Sequence, residues 1–321
     1  LAFSQKKWTL RECVDYAVKN NLQVINNQYN ADIQSKNLAM AKNDYLPSVS
    51  GTFNNNANFG QGRDYLGQSV RTDAFNNSAS IGANMQIYNG GRIKKTAEKS
   101  QFDLDASLLD TEKTKNDISV QVAQYYLQVL LNKEIKKITD ESVNNAEKIL
   151  TRAKATTEVG TTKTVEAEAI ASLAREKQKQ KSAEIDIERA LFNLAMILQL
   201  KDFQNFDVQE FPLPDMLSTP LNSTDSFIEK AYENQPQIKA AETRILSAQK
   251  QVEITKTQFL PSVSATAGLG TSYYDPFSSN NNGLFKQYQD NFGQQVALSA
   301  NIPIFNKGNT KLQVEQAKIS E

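Results

Sequence analysis

The sequence predicts a mixed α and β membrane protein: long helical hairpins joined to strands that cross a bilayer, all built on an internal repeat. Three observations predict it. Leu46-Pro47-Ser48-Val49-Ser50 recurs letter for letter as Leu260-Pro261-Ser262-Val263-Ser264. After each Leu-Pro the apolar period changes from about 3.6 residues to 2. Between the two period-2 regions, the stretch from Arg92 to about Val159 contains no Pro and no Gly.

The repeat organises everything else. The pentapeptide recurs at an offset of 260 − 46 = 214 positions, and the same offset aligns Asn20-Asn21-Leu22-Gln23-Val24 with Asn234-Gln235-Pro236-Gln237-Ile238. Ile87-Tyr88-Asn89-Gly90-Gly91 matches Ile304-Phe305-Asn306-Lys307-Gly308 at an offset of 304 − 87 = 217. The second copy thus carries three extra residues between those landmarks. Self-similarity of this kind marks two copies of one supersecondary unit.

Each copy opens with helices. Thr9-Leu10-Arg11-Glu12 reads as a capping box, with Trp8 and Cys13 at the flanking apolar positions. That helix runs to about Asn20-Asn21, and a second runs from Val24 to Tyr45, where Leu46-Pro47 stops it. The second copy repeats the pattern from about Asp225 to Phe259 with Pro236 at the break. Cys13 has no His to activate it and reads as a small packed hydrophobe.

Four strands follow the Leu-Pro landmarks, two per copy. Val49, Gly51, Phe53, Ala57 and Phe59 alternate with Ser and Asn, as do Phe75, Ala79, Ile81, Ala83, Met85 and Ile87. Val263, Ala265, Ala267 and Leu269 form the third run, and Phe292, Val296, Leu298, Ala300, Ile302 and Ile304 the fourth. Polar loops, Gly60–Ala74 and Tyr274–Asn291, join each pair. Runs of ten to thirteen residues exceed the globular mean of about five or six and match the nine to eleven that cross a bilayer at a tilt. The same alternation also fits a half-buried hairpin of a secreted sandwich. Strand length, four-fold recurrence and the lack of charge favour the membrane. On that reading Phe53, Ile81, Met85, Leu269, Val296 and Leu298 face lipid, while Ser50, Asn54, Ser80, Asn84 and Ser299 face water. Four such strands cannot close a barrel alone, and open edges are not tolerated in lipid, so assembly is required.

The tract from Arg92 to Val159 would reach about 100 Å as one helix. Ile118, Val122, Tyr125 and Val129 form a heptad-like seam, continued loosely by Ile135, Ile138, Ala146, Ile149 and Ala153. Val159-Gly160-Thr161-Thr162 breaks it, and a helix from about Thr164 to Leu200 returns with Ala167, Ile170, Ala174, Ile187, Leu191 and Leu194 on its seam. Lys177, Lys179 and Lys181 lie on a solvated face, and Gly90-Gly91 reads as the bend from strand to helix.

Composition excludes the commoner chemistries. The 36 Lys+Arg balance 36 Asp+Glu, so no cationic footprint for nucleic acid exists. With no His and one Cys the chain lacks the usual general base and any zinc ligand set, and no cofactor motif or catalytic constellation is present. Asn and Gln make up about 18% of the chain, a polar but uncharged surface that suits a water-lined channel. No apolar run is long enough for a spanning helix: Leu191–Leu198 is short and broken by Asn193. Ala2-Phe3-Ser4 has the form of a signal-peptide cleavage site, which would start the mature chain at Gln5.

The order of these pieces resembles the TolC-like outer-membrane efflux and secretion channels of Gram-negative bacteria, the outer membrane factors. The carriers are Thr9-Leu10-Arg11-Glu12-Cys13-Val14-Asp15-Tyr16-Ala17 with Asn20-Asn21, the two Leu-Pro-Ser-Val-Ser strand starts, and Ile87-Tyr88-Asn89-Gly90-Gly91-Arg92. Val120–Leu127 and Leu194–Leu198 are similar to family segments too. The resemblance implies a homotrimer in which each protomer gives four strands to one shared barrel in outer-membrane lipid, while long helices form a periplasmic α-barrel. It implies a passive exit duct of a tripartite efflux pump or type I secretion system, without enzyme activity, partnered by a periplasmic adaptor and an inner-membrane transporter. A surface-exposed trimeric coiled-coil adhesin or scaffold is the competing reading, and it leaves the duplicated strands unexplained.

The resemblance also assigns regions. Residues 1–46 are the helices of the first repeat, 47–90 the first transmembrane hairpin and 91–200 the long helical hairpin. Residues 201–224 are an equatorial connector, 225–260 the helices of the second repeat, 261–307 the second transmembrane hairpin and 308–321 the start of a second long helix. Val159, Gly160, Thr161 and Thr162 stand at the hairpin tip that meets the adaptor in the family. Thr161 stands where Leu is usual, and Gly160 can equally be a plain helix-end glycine. Only Asn309–Glu321 follow Gly308, against about 120 residues after Gly91, so the repeat leads us to expect a further hairpin of roughly 110 residues, with the constricting residues on it.

Overall fold

The computed structural model describes residues 7–63, 66–158, 163–201, 203–210, 232, 234–277 and 282–321. The chain divides into two units, Leu1–Asp32 with Ser107–Ala240, and Ile33–Ala106 with Ala241–Glu321.

The first unit is helical. Strand β1 (Lys7–Trp8) leads into α1 (Leu10–Asn20), which opens on the expected capping box: the Glu12 amide donates to Thr9 Oγ1 (3.2 Å) and the Thr9 amide donates to the Glu12 carboxylate (2.9 Å). Leu22–Asp32 of α2 (Leu22–Asn43) follows. The Asn21 landmark has a structural job at this break. Its Oδ1 accepts from the Gln23 amide (2.9 Å) and its Nδ2 donates to the Ile197 carbonyl (3.1 Å), so one buried amide caps the ends of two helices. From Ser107 onward, α3 (Arg92–Glu158) pairs with α4 (Lys163–Leu198), and β6 (Asp207–Val208) lies parallel to β1.

The core of this unit is Cys13, Ala17, Val24, Ile118, Val122, Tyr126, Val129, Ala190, Leu194, Leu198 and Val208, with Trp8 packed edge-on against Tyr16 and Phe206. Here two expectations are corrected. Tyr126, not Tyr125, completes the Ile118–Val122–Val129 seam: Tyr126 is fully buried and Tyr125 is exposed. The buried hydroxyl donates between the carbonyls of Trp8 and Gln209, which ties α3 to the β1–β6 pair. Farther along, the buried positions of α3 and α4 are small: Val143, Ala146 and Ala153 on α3, and Ala169 and Ala183 on α4. Ile135, Ile138, Ile149, Ala167, Ile170 and Ala174 point outward instead. Gln180 donating to Asp140 (2.7 Å) and Lys177 pairing with Glu147 (3.0 Å) link α4 to α3.

The second unit holds the strands. β2 (Ser48–Asn58), β5 (Ala74–Tyr88), β7 (Ser262–Pro276) and β8 (Gly293–Asn301) form one antiparallel sheet in the order β2-β5-β7-β8. The loop after β2 carries a small hairpin of its own, β3 (Gln61–Arg63) with β4 (Ser69–Arg71), and the loop after β7 carries α6 (Leu284–Asp290). The strand bases lead to helices: Ile33–Asn43 of α2, Arg92–Ala106 of α3, α5 (Pro236–Lys256, from Ala241 in this unit) and α7 (Asn309–Ser320). Lys95–Glu253 (2.9 Å) and Lys250–Glu98 (3.0 Å) join α3 to α5.

The repeat is visible in backbone geometry. Both strand-to-helix bends use two successive left-handed residues, Gly90 (φ 66°) and Gly91 (φ 78°) in the first copy, Lys307 (φ 60°) and Gly308 (φ 78°) in the second. Glycine is required at Gly90, because a Cβ there would lie 2.8 Å from the Leu260 Cβ.

Candidate functional site

Strand pairing sorts the sheet's side chains. Phe53 lies opposite Ala79, Gly51 opposite Ile81, Ile81 opposite Leu269, Met85 opposite Ala265, Ala265 opposite Leu298 and Ala267 opposite Val296. Residues directly opposite share a face, so Phe53, Ile81, Met85, Leu269, Val296 and Leu298 fall together on one face. Ser50 pairs with Gly82, Asn54 with Ser78, Thr52 with Ser80, Ser48 with Asn84, and Ser264 with both Gln86 and Ser299. Ser50, Asn54, Ser80, Asn84 and Ser299 therefore share the opposite face. A hollow on the first face is lined by Phe53, Ile81, Leu269 and Phe292, and a groove on the second by Ser50, Thr52, Asn84, Thr266 and Gln295.

The apolar side chains stay uncovered in one chain. Val296 is 87% exposed, Leu298 70% and Phe53 65%. Exposed apolar patches of this kind mark contact with another molecule or with lipid. The polar face carries Gly82 opposite Gly268 and Gly270 opposite Gly293 at adjacent levels. A Cβ on Gly82 would meet nothing within 4 Å, so packing does not demand glycine there; it leaves that face bare. At Gly270 a Cβ would sit 3.1 Å from the Ser80 Cβ, so there the close approach of strands does favour glycine.

Three features at the loop end of the sheet lay beyond sequence reasoning. On the apolar face, Asn77 is buried, donates to Asn55 Oδ1 (2.6 Å) and accepts from the Tyr288 hydroxyl, which makes a polar boundary above the Ile81 level. Gln287 stands in for a strand residue beside β7 past the end of its pairing with β8: its Oε1 accepts from the Tyr274 amide (3.0 Å) and its Nε2 donates to the Tyr274 carbonyl (3.0 Å). Asp275 lies on β7, so the four-stranded sheet does carry one charge, at its loop end. The alternation itself hinted at the first of these, because Asn55 and Asn77 interrupt an otherwise apolar register.

The tip residues Val159, Gly160, Thr161 and Thr162 lie outside the described residues, between the end of α3 at Glu158 and the start of α4 at Lys163. Among the described residues no helix is long and apolar enough to cross a membrane, and no cluster of His, Cys, Asp or Glu could hold a metal ion. Cys13, with 0% exposure, has its thiol pushed up to about 12 by burial, then by Glu12.

The sequence profile of the outer membrane efflux proteins matches residues 14–198 and 227–321. The chain is 22% identical over 318 residues to the outer membrane efflux protein BepC of Brucella suis biovar 1, covering 97% of this chain and 63% of that one. It is 25% identical over 268 residues to the pyoverdine export outer membrane protein OpmQ of Pseudomonas putida, covering 82% and 54%. The chain thus spans between about half and two thirds of the length of these curated relatives. Its fold matches the CmeC outer membrane channel of Campylobacter jejuni with a TM-score of 0.78 at 20% identity, covering 97% of this chain and 64% of that one. With its profile covering both copies of the repeat, the chain belongs to the outer membrane efflux protein family.

Proposed function

We propose that three copies of this protein form a passive exit duct through the outer membrane, in which the Ser/Asn face of the sheet lines the water path and the Phe53–Ile81–Val296 face meets lipid. The observation that carries it is the separation of those two sets by strand register in a sheet whose two outer strands, β2 and β8, have free edges. Free edges are not tolerated in lipid, and four strands are too few to close, so copies join edge to edge. Three copies give twelve strands, and the long helices continue the duct as a tube in the periplasm. The duct performs no chemistry. It works with a periplasmic adaptor and an inner-membrane transporter, as the tripartite pumps of the family do. The scaffold reading accounts for the helices but not for a sheet with one apolar and one uncharged polar face.

Docking to the adaptor is assigned to Val159, Gly160, Thr161 and Thr162, the residues between α3 and α4 in the sequence. Its motive is the place of these residues in the sequence, directly after a helix of 67 residues and carrying the first glycine since Gly91. In cells carrying the full-length protein, Thr161→Asp is expected to abolish export while the trimer still assembles in the outer membrane. Normal export by an assembled Thr161→Asp protein would remove the tip from the interface.

A further inference from the structure

The two hairpins share one register. Adding 214 to a β2 position and 217 to its β5 partner reproduces the β7–β8 pairing: Ser48↔Asn84 becomes Ser262↔Asn301, Thr52↔Ser80 becomes Thr266↔Ala297, and Asn54↔Ser78 becomes Gly268↔Gln295. The offsets come from amino-acid identities and the pairings from backbone geometry, so their agreement is a test that the repeat passed. Among the described residues the pairing between copies, β5 with β7, has no second example, because β8 has no strand beyond it.

We propose that β8 pairs with β2 of the partner subunit in the register that the repeat transfers from the β5–β7 pair, and this rests on the trimeric reading above. The β5–β7 pair Ala83↔Ala267 becomes Ala300 opposite Phe53 of the partner subunit. Ile81↔Leu269 becomes Leu298 opposite Asn55 of the partner subunit, and Met85↔Ala265 becomes Ile302 opposite Gly51 of the partner subunit. Beyond the irregularity between Gln86 and Tyr88, Tyr88↔Val263 becomes Phe305 opposite Val49 of the partner subunit. Every transferred pair keeps apolar-face residues with apolar-face residues, which a slip of one residue would destroy.

Exposure supports the assignment independently. β5 runs to Tyr88, equivalent to Phe305, but β8 ends at Asn301. Ile302, Ile304 and Phe305 are 65%, 94% and 84% exposed, whereas their first-copy equivalents Met85, Ile87 and Tyr88 are 40%, 56% and 47% exposed. The difference is the neighbouring strand: β7 flanks the first set, and among the described residues no strand flanks the second. On the partner's β2, β8 would extend to Phe305. Pro303 is equivalent to Gln86, where the first copy has its bulge, a site that tolerates a missing N–H.

One part of the junction cannot be transferred unchanged. Gly90 needs to lack a Cβ because of Leu260, but its equivalent is Lys307, and the equivalent of Leu260 is Leu46 of the partner subunit. A strict copy would bring the Lys307 Cβ to the 2.8 Å that Gly90 avoids. The seam between subunits therefore keeps the strand register but opens at the strand-to-helix bend.

Disulfide mapping tests this in the full-length protein, with Cys13 buried and silent. Opposed strand residues come within reach of a disulfide, whereas a partner two positions along lies about 7–8 Å off. Ala300→Cys with Phe53→Cys is expected to give a covalent oligomer on a gel, lost on reduction, and Ala300→Cys with Gly51→Cys or Asn55→Cys is expected to give little. Leu298→Cys with Asn55→Cys repeats the test without touching Phe53. Strong linkage through the displaced pairs, or no linkage from either matched pair in a protein that still runs as a trimer, overturns the register and leaves the trimer standing. A monomer by native mass in detergent overturns both.

Discussion

The helical core of the first unit and the sheet of the second solve opposite problems with the same kinds of residue. Ile118, Val122, Tyr126, Leu194 and Leu198 are at most 1% exposed within a single chain. Phe53, Val296 and Leu298 are more than half exposed in that same chain. The core is closed by its own sequence; the sheet leaves its apolar face uncovered in one chain, to be completed by lipid and further copies under the proposed assembly. Fold stability and assembly can therefore be separated by mutation, and substitutions in the two regions should fail differently.

The largest effect belongs to the core. Leu194→Ala should cost about 2–5 kcal/mol through lost burial and a residual cavity, read as a lower thermal or denaturant midpoint. Equal stability would mean that the core is not as closed as its burial indicates. On the sheet the comparison sharpens by face: Ile81→Arg should cost about 2–4 kcal/mol if it meets lipid near the midplane, and Ser80→Arg much less. Similar assembly yields in membranes for the two variants would break the face assignment. Tyr126→Phe keeps the ring and strips the hydroxyl from the Trp8 and Gln209 carbonyls, and should cost about 1–3 kcal/mol. Tyr125→Phe, on an exposed ring, should cost close to nothing on the same melting curve.

The smallest effect is electrostatic. Burial alone would raise the Asp207 carboxyl, but the Lys133 ammonium (2.6 Å), the Val208 amide and the charge of Lys7 outweigh it and hold the pKa below the ordinary value. A depressed carboxyl stabilises the folded state above its unfolded pKa of about 3.9, and that contribution is lost as pH falls through the lower folded value. Melting points at pH 7 and pH 3 should differ more for the native protein than for Asp207→Asn; an unchanged difference would remove Asp207 from the account.

Much of this was legible in the sequence because the repeat is literal. The offsets of 214 and 217 convert one hairpin's register into the other's, and strict alternation already divides Ile81 from Ser80. What sequence could not rank was the choice between neighbours. A seam of period near 3.5 passes almost as close to Tyr125 as to Tyr126, and the deciding factor is two carbonyls brought by β1 and the residue after β6, distant in sequence. The α3–α4 seam misled for a related reason: Ile138, Ile149 and Ile170 look like core, but in one chain the buried positions are alanines and those larger side chains are exposed. The β3–β4 hairpin, α6 and Gln287 sit in polar loops whose hydrogen bonds run to distant backbone, which no local pattern records.

The central claim is that one face of the sheet lines a water path. Its most direct test is conductance of the purified full-length protein in a planar bilayer, with Ser80→Cys or Ile81→Cys introduced beside the buried Cys13. A charged, water-soluble thiol reagent should cut the conductance of Ser80→Cys and leave Ile81→Cys unchanged. Block of Ile81→Cys with no effect at Ser80→Cys would invert the faces, and a protein that inserts without conducting at all would contradict the duct.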